Sequence, residues 1–176
     1  MLSTLIEILL TIFGSPTLYI RISHDQLKLL HAESGEILEE PPVVAFETHN
    51  GQHKILAIGR EALVYKDRSD VTLANGFDHP RTLIADFIMA ETALKHFMSR
   101  LPKPKAMRLR LPPVLVLHPL EKQEGGYTPI EMRAFRELGI GAGAWRVYIW
   151  TGRPLTREEI RERRFPAHES HRLYSE

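Results

Sequence analysis

Apolar and polar positions alternate through residues 17–23, TLYIRIS, with Leu18, Ile20 and Ile22 on one face, and this pattern predicts a strand. QLKLLHA, residues 26–32, predicts a second strand after a tight turn around Ser23, His24 and Asp25. The turn Ser34-Gly35-Glu36 precedes a third, PPVVAFET over 41–48, and Asn50-Gly51 signals a hairpin into HKILAIG, 53–59. A short helix is predicted over REALVYK, 60–66, and a loop over 67–81. From Thr82 to Ser99 the period changes to that of a helix: Ile84, Phe87, Ile88, Leu94, Phe97 and Met98 share a face, and Glu91 stands one turn before Lys95. VLVLHP, 114–119, is a short continuous apolar run, as in a strand covered on both faces.

The second half then alternates. Thr128, Pro129 and Glu131 form a capping box that opens a helix over TPIEMRAFREL, ending at Gly139. WRVYIW, 145–150, predicts a strand, and LTREEIRERR, 155–164, a charged helix with a second capping box, Thr156 with Glu159. Residues 166–176 read as a flexible tail. The order implies an α/β fold: a mixed sheet in which TLYIRIS, QLKLLHA and VVAFET form an antiparallel meander, extended in parallel by VLVLHP and WRVYIW and flanked by helices. One module over residues 14–165 is expected, preceded by a segment over 1–13.

The glycine-rich stretch GIGAGA, 139–144, invites a phosphate-loop reading, but its polarity is wrong. Phosphate loops run strand, glycines, helix, so that free N–H groups of the helix start face the anion. Here the glycines follow a helix, whose terminal carbonyls repel phosphate. Gly139 or Gly141 is expected to supply a left-handed cap, and Gly143 to let the next strand approach closely.

The segment MLSTLIEILLTIF is too short for a spanning helix and lacks a basic start. As a helix it puts Ser3, Thr4, Glu7 and Thr11 on one stripe, with Leu2, Leu5, Ile6, Leu9 and Phe13 among the apolar residues covering the rest. Such a helix suits a membrane surface or a partner, and equally suits docking on its own domain. The net charge of +1 offers no field to steer the chain toward nucleic acid, so no nucleic-acid partner is expected. The absence of cysteine excludes disulfides and thiol catalysis and is compatible with a cytoplasmic setting.

Candidate chemistry is sparse. Ser23, His24 and Asp25 carry triad residue types, but as consecutive residues they point apart. His49 and His53 flank a hairpin without a third ligand, and His168 and His171 lie in the tail. Asp86 suits the start of a helix, and Glu158 and Glu159 sit on a charged one. Neither a catalytic residue, a metal ligand nor a cofactor-binding residue is assigned.

MRAFRELGIGAGAWRVYIW resembles the helix, Gly-Ala-Gly-Ala turn and apolar strand of MreB, the bacterial actin-like cell-shape protein. EILEEPPVVAFET, LIADFIMAETALKHFM and PPVLVLHPL resemble three more MreB segments in the same order, so the resemblance covers about residues 14–155. It implies part of an actin/ribonuclease-H-like fold, the N-terminal half of a protein about twice this length. In that family a phosphate loop built on Asp-x-Gly-Thr joins the first two strands. The resemblance puts Arg21 at the place of the metal-facing Asp and Ser23 at that of the Gly. After the last strand, Thr151-Gly152-Arg153 replaces the acidic pair that positions the attacking water.

The resemblance therefore implies a truncated, nucleotide-free MreB-like protein with no enzymatic activity. It would act as a binding or regulatory module of the cell-shape cytoskeleton, with a cytoskeletal partner and a peripheral place at the inner membrane. A shortened actin-like ATPase completed by a partner chain, or a degraded paralogue, stays open. Two membrane contacts are expected: the N-terminal segment through Leu2, Leu5, Ile6, Leu9 and Phe13, and the connector KPKAMRLRLPP. In the connector Met107, Leu109 and Leu111 alternate with Arg108 and Arg110. The opposing expectation is that these apolar residues belong to the core strand. Because the family's second half covers part of this module, an exposed apolar patch is also expected.

Overall fold

The computed structural model describes residues 15–79, 81–100, 111–120, 126–166 and the backbone of 172–174. In chain order the elements are β1 (Thr17–Ile22), β2 (Leu27–His31), β3 (Ile37–Glu40), β4 (Val43–His49), β5 (Gln52–Ile58), a 3₁₀ helix (Gly59–Tyr65), β6 (Thr72–Asn75), α1 (Phe87–Arg100), β7 (Val114–Pro119), α2 (Pro129–Gly141), β8 (Arg146–Thr151), α3 (Arg157–Glu162) and β9 (Arg172–Tyr174). The strands form a six-stranded sheet in the order β3-β2-β1-β7-β8-β9 and a three-stranded sheet in the order β5-β4-β6.

In the larger sheet β1, β2 and β3 are an antiparallel meander, and β7 and β8 run parallel to β1. The mixed sheet flanked by helices thus follows the sequence pattern, with one correction. VVAFET does not join the meander. As β4 it pairs with β5 and β6 in the second sheet, and ILEE, β3, takes the third place beside β2. Pro41 and Pro42, between β3 and β4, lack the N–H groups that a continuing ladder needs, and the chain leaves the first sheet there. Two further departures are strands in stretches read as irregular: TLAN within the loop over 67–81, and Arg172–Tyr174 within the tail, antiparallel to β8.

Period-two alternation sorts the large sheet into two faces. Leu18, Ile20, Ile22, Leu27, Leu29, Leu115, Leu117, Val147 and Ile149 belong to the main core with α1, α2 and residues of the second sheet. Tyr19, Val116 and Trp150 look the other way, onto Leu155 and Ile160 around α3. VLVLHP is buried along its whole length, as its continuous apolar run requires. Exposed large apolar residues are carried by several elements, among them Val64 in the 3₁₀ helix, Ile88 in α1 and Ile130 in α2.

Both capping boxes form, Thr128 with Glu131 and Thr156 with Glu159, and Glu91 pairs with Lys95. α1 starts later than its apolar pattern suggests. Asp86 Oδ1 accepts hydrogen bonds from the backbone N–H groups of Ile88 (2.9 Å) and Met89 (3.1 Å), which fixes the helix start there. The glycine roles are exchanged relative to expectation. α2 runs on to Gly141, and the positive φ (106°) falls at Gly143. Gly139 is the close-approach residue, since a Cβ there would lie 2.7 Å from Val147 Cγ2.

Glu40 joins the two sheets. Its carboxylate accepts from the Arg60 backbone N–H (3.0 Å) and from Arg100 Nη1 (2.5 Å), linking β3, the 3₁₀ helix and α1. Burial opposes its ionisation, yet these hydrogen bonds hold its pKa below the ordinary glutamate value.

Candidate functional site

In open α/β sheets, ligands gather where the parallel strands present their carboxyl ends. Here those ends are Ile22, Pro119 and Thr151, and the first leads into the turn over residues 23–26. Ser23 closes that turn. Its backbone N–H donates to Gln26 O (2.9 Å), and its hydroxyl donates to Asp25 Oδ1 (2.7 Å). The hydroxyl bond holds the Asp25 carboxyl below its ordinary pKa. Asn75 Nδ2 donates to His24 O (2.5 Å), anchoring the turn to β6. The Ser23 N–H is therefore spent within the turn.

Arg21 stands two residues before this turn, on the Tyr19 face of β1. Its Cα neighbours in register are Lys28 of β2 and His118 of β7, so three nitrogen-bearing side chains lie in a row across three strands. Lys28 pairs with Glu39 (2.5 Å), and His118, 2% exposed, meets the Tyr19 hydroxyl through Nδ1. Arg21 is half-buried, its Nε is enclosed without a hydrogen-bond partner, and among the described residues its guanidinium joins no ion pair.

Behind this row lies a second layer. The Tyr19 oxygen accepts from the Leu155 backbone N–H (3.3 Å), and burial raises the phenol's pKa. Trp150 Nε1 donates to Arg153 O (2.8 Å), which shapes the turn after β8. Arg153 Nη1 donates to Glu159 Oε2 (3.0 Å) and to Pro154 O (3.0 Å). The Arg153 hydrogen bond first, and the Thr156 N–H next, bring the Glu159 carboxyl down to about 2. A carboxyl whose pKa is lower folded than unfolded stabilises the fold above its unfolded value and loses that contribution as pH falls. Stability is thus expected to decline from about pH 4.5 toward pH 2, and less steeply in Glu159→Gln, as read by urea unfolding across that range. Equal slopes in the two proteins would refute the assignment.

The other sequence candidates do not assemble. Ser23 and Asp25 bond directly to each other within a turn. His53 pairs with Thr48 (3.0 Å between Oγ1 and Nδ1) and packs on Phe46. Among the described residues there is no grouping of three or more His, Asp or Glu able to hold a metal. Leu2, Leu5, Ile6, Leu9, Phe13, Met107, Arg108, Leu109, Arg110, His168 and His171 lie outside the described residues, and Leu111 is half-buried. No described helix is long and apolar enough to cross a membrane. The pattern of residues did not point to Tyr19 and His118, whose contact joins positions 99 apart.

This arrangement defines an actin-like module. The structure is similar to that of MreB 5 of Spiroplasma citri bound to AMPPNP, with a TM-score of 0.60, 22% identity and coverage of 77% of this chain and 38% of that one. It is also similar to a non-polymerising MamK mutant bound to AMPPNP, with a TM-score of 0.57, 14% identity and coverage of 77% and 40%. The family model for the MreB/Mbl protein matches residues 25–154, and the chain belongs to that family. It is 36% identical over 117 residues to the cell shape-determining protein MreB of Pasteurella multocida (65% of this chain, 32% of that protein). It is 31% identical over 122 residues to the cell shape-determining protein Mbl of Bacillus subtilis (69% and 34%). The chain therefore spans about a third of the length of these curated relatives.

The described residues at the end of β1 and in its turn do not fit a metal-bound nucleotide. A divalent cation needs oxygen ligands, whereas β1 offers the Arg21 guanidinium. A phosphate cradle needs free backbone N–H groups, whereas that of Ser23 is used by Gln26.

Proposed function

We propose that this chain is a binding or regulatory module of the bacterial cell-shape cytoskeleton, working without nucleotide and without ATP hydrolysis, peripherally at the inner membrane. Arg21 carries the nucleotide part of this reading. A half-buried cation at the end of β1 repels magnesium, and its neighbours in register are Lys28 and His118, not carboxylates. Thr151, at the end of β8, and Gly152 and Arg153 after it place no acid where water would be activated. A cytoskeletal partner is proposed because the curated relatives are cell shape-determining proteins.

The membrane part rests on chain geometry. Pro16 O accepts from the Val114 N–H (2.9 Å), so the chain enters β1 and β7 at adjacent points. The stretch ending at Gly14 and the connector ending at Pro113 are thus joined to the same end of the sheet. Their apolar residues, Leu2, Leu5, Ile6, Leu9 and Phe13 with Met107, Leu109 and Leu111, form the proposed contact, assisted by Arg108 and Arg110.

The competing reading is an actin-like ATPase completed by a second chain, and it is favoured by the AMPPNP held in the similar solved structures. Isothermal titration separates the two. No heat of binding is expected with ATP and magnesium, and measurable affinity that requires magnesium would replace the first reading by the second. For the membrane, Leu5→Glu with Leu9→Glu is expected to release the protein from anionic liposomes. Arg108→Glu with Arg110→Glu is expected to weaken binding and flatten its salt dependence. Unchanged co-sedimentation of both variants would remove the membrane from the proposal.

A further inference from the structure

We propose that β9 is a displaceable cover over the outer edge of β8, and that the edge beneath it is a self-association surface for a second copy of this chain. The large sheet ends in β3 on one side and in β8 with β9 on the other. An edge strand presents unpaired N–H and C=O groups that invite another chain, and proteins blunt such edges with charge, brevity or a cover. β3 carries Glu39 and Glu40, which pair with Lys28 and Arg100. In the small sheet one edge strand, β6, is four residues long, and the other, β5, carries His53 and Lys54. β8 has neither safeguard. After Arg146 it reads Val147, Tyr148, Ile149, Trp150, Thr151, all β-branched or aromatic, with no charge, proline or glycine. Such a run favours pairing with a copy of itself.

β9 supplies the cover. Its backbone runs antiparallel to β8, with Tyr174 opposite Ile149, Leu173 opposite Trp150 and Arg172 opposite Thr151. Three residues make few ladder bonds at the border of a sheet, so this pairing opens more easily than that of β8 with β7 on its inner side. On the outer edge Arg146, Val147 and Tyr148 have no strand partner among the described residues. Once β9 leaves, β8 offers an edge six residues long. A second copy meets it as an antiparallel pair about a twofold axis through Tyr148. Opposite residues of such a pair share a face, so this register sets Val147 against Ile149, and Arg146 against Trp150, of the other copy. The two Arg146 positions then stand about 14 Å apart along the strand, where salt screens their repulsion. That ladder needs Ile149 and Trp150, the positions that β9 holds, so cover and copy exclude each other.

The experiment uses the full chain and neither nucleotide nor lipid. Alternate residues of an antiparallel strand make the ladder bonds, so Leu173→Pro with Tyr174→Pro removes at least one of them. Sedimentation is expected to show self-association at least about tenfold tighter in this variant than in the parent. Amide exchange within Ile149–Thr151 should be about tenfold faster in the dilute variant than in the parent, and slow again as the dimer forms. Adding Tyr148→Lys sets two ammonium groups face to face on the axis and should abolish the dimer. A second variant does not depend on how the chain tolerates proline. The chain has no cysteine, and Thr151→Cys with Arg172→Cys places two opposite each other; diamide should close them within one chain and leave a monomer. A folded proline variant that stays monomeric, a dimer indifferent to Tyr148→Lys, free exchange throughout Ile149–Thr151 in the parent, or cysteines that fail to close within one chain would each overturn the proposal.

Discussion

Gly76→Ala is expected to lower the free energy of unfolding by about 3 kcal/mol, a loss that comes from sterics alone. Gly76 lies in the turn between β6 and α1, and its carbonyl accepts from the N–H groups of Ala85 (2.8 Å) and Asp86 (3.2 Å). A Cβ at this position would lie 2.7 Å from Asp86 O and from Ala90 Cα, with the Ala90 nitrogen closer still. All three atoms are backbone, so no side-chain rotation relieves the clash. The turn must move away from the first turn of α1, and the fully buried Phe77 must move with it. Gly51→Ala is the control. Gly51 has φ of +75° in the β4–β5 hairpin with open space around it, so its substitution is expected to cost about 1 kcal/mol through backbone conformation alone. Urea unfolding of both variants measures the contrast. Equal losses would show that the β6–α1 turn yields without cost.

The elements that the sequence made legible are those whose side chains have one dominant environment. β1 and β2 alternate because one face meets the main core, and β7 reads as continuously apolar because both faces are covered. The capping boxes were visible because their bonds lie within four residues. β3 was hidden for the opposite reason. Ile37 is 59% exposed, and Glu39 and Glu40 sit in a strand because Lys28 and Arg100, distant in sequence, pair with them. β6 is four residues long and owes its state to β4. Assigning VVAFET to the first sheet followed from adjacency along the chain, a rule that the Pro41-Pro42 step overrode.

The candidate site was legible to a similar degree. Arg21 and Ser23 stood out at once, because a cation and a hydroxyl occupy places where resemblance implies a carboxylate and a glycine. What the residues around them do was not legible. That Ser23 closes its own turn depends on Gln26, and that Arg21 joins no ion pair among the described residues follows only from the partners that Lys28 and Arg153 find elsewhere. The Tyr19–His118 contact joins parallel strands at positions 99 apart, and no local pattern announces it.

Trp150→Ala is expected to cost about 4 kcal/mol, the largest loss among single truncations on the α3 face. Trp150 is 1% exposed and packs with Tyr19, Ala32, Val116, Leu155 and Ile160, with the Phe165 ring stacked 6.0 Å away. This second core is small, so the void left by an indole is a large part of it. The substitution also removes the N–H that holds Arg153 O at 2.8 Å. That carbonyl belongs to the turn from which Arg153 reaches Glu159 and from which Leu155 N–H reaches the Tyr19 oxygen. The loss should therefore spread to that turn and to the Tyr19 hydroxyl it contacts. Trp150→Phe separates the two effects. It keeps most of the apolar contact and deletes only the hydrogen bond, so about 1–2 kcal/mol is expected. In Trp150→Phe the acid limb of stability should also become shallower, because a displaced Arg153 no longer holds the Glu159 carboxyl down. If Trp150→Phe is as stable as the parent and keeps its acid limb, the indole N–H does not shape the turn.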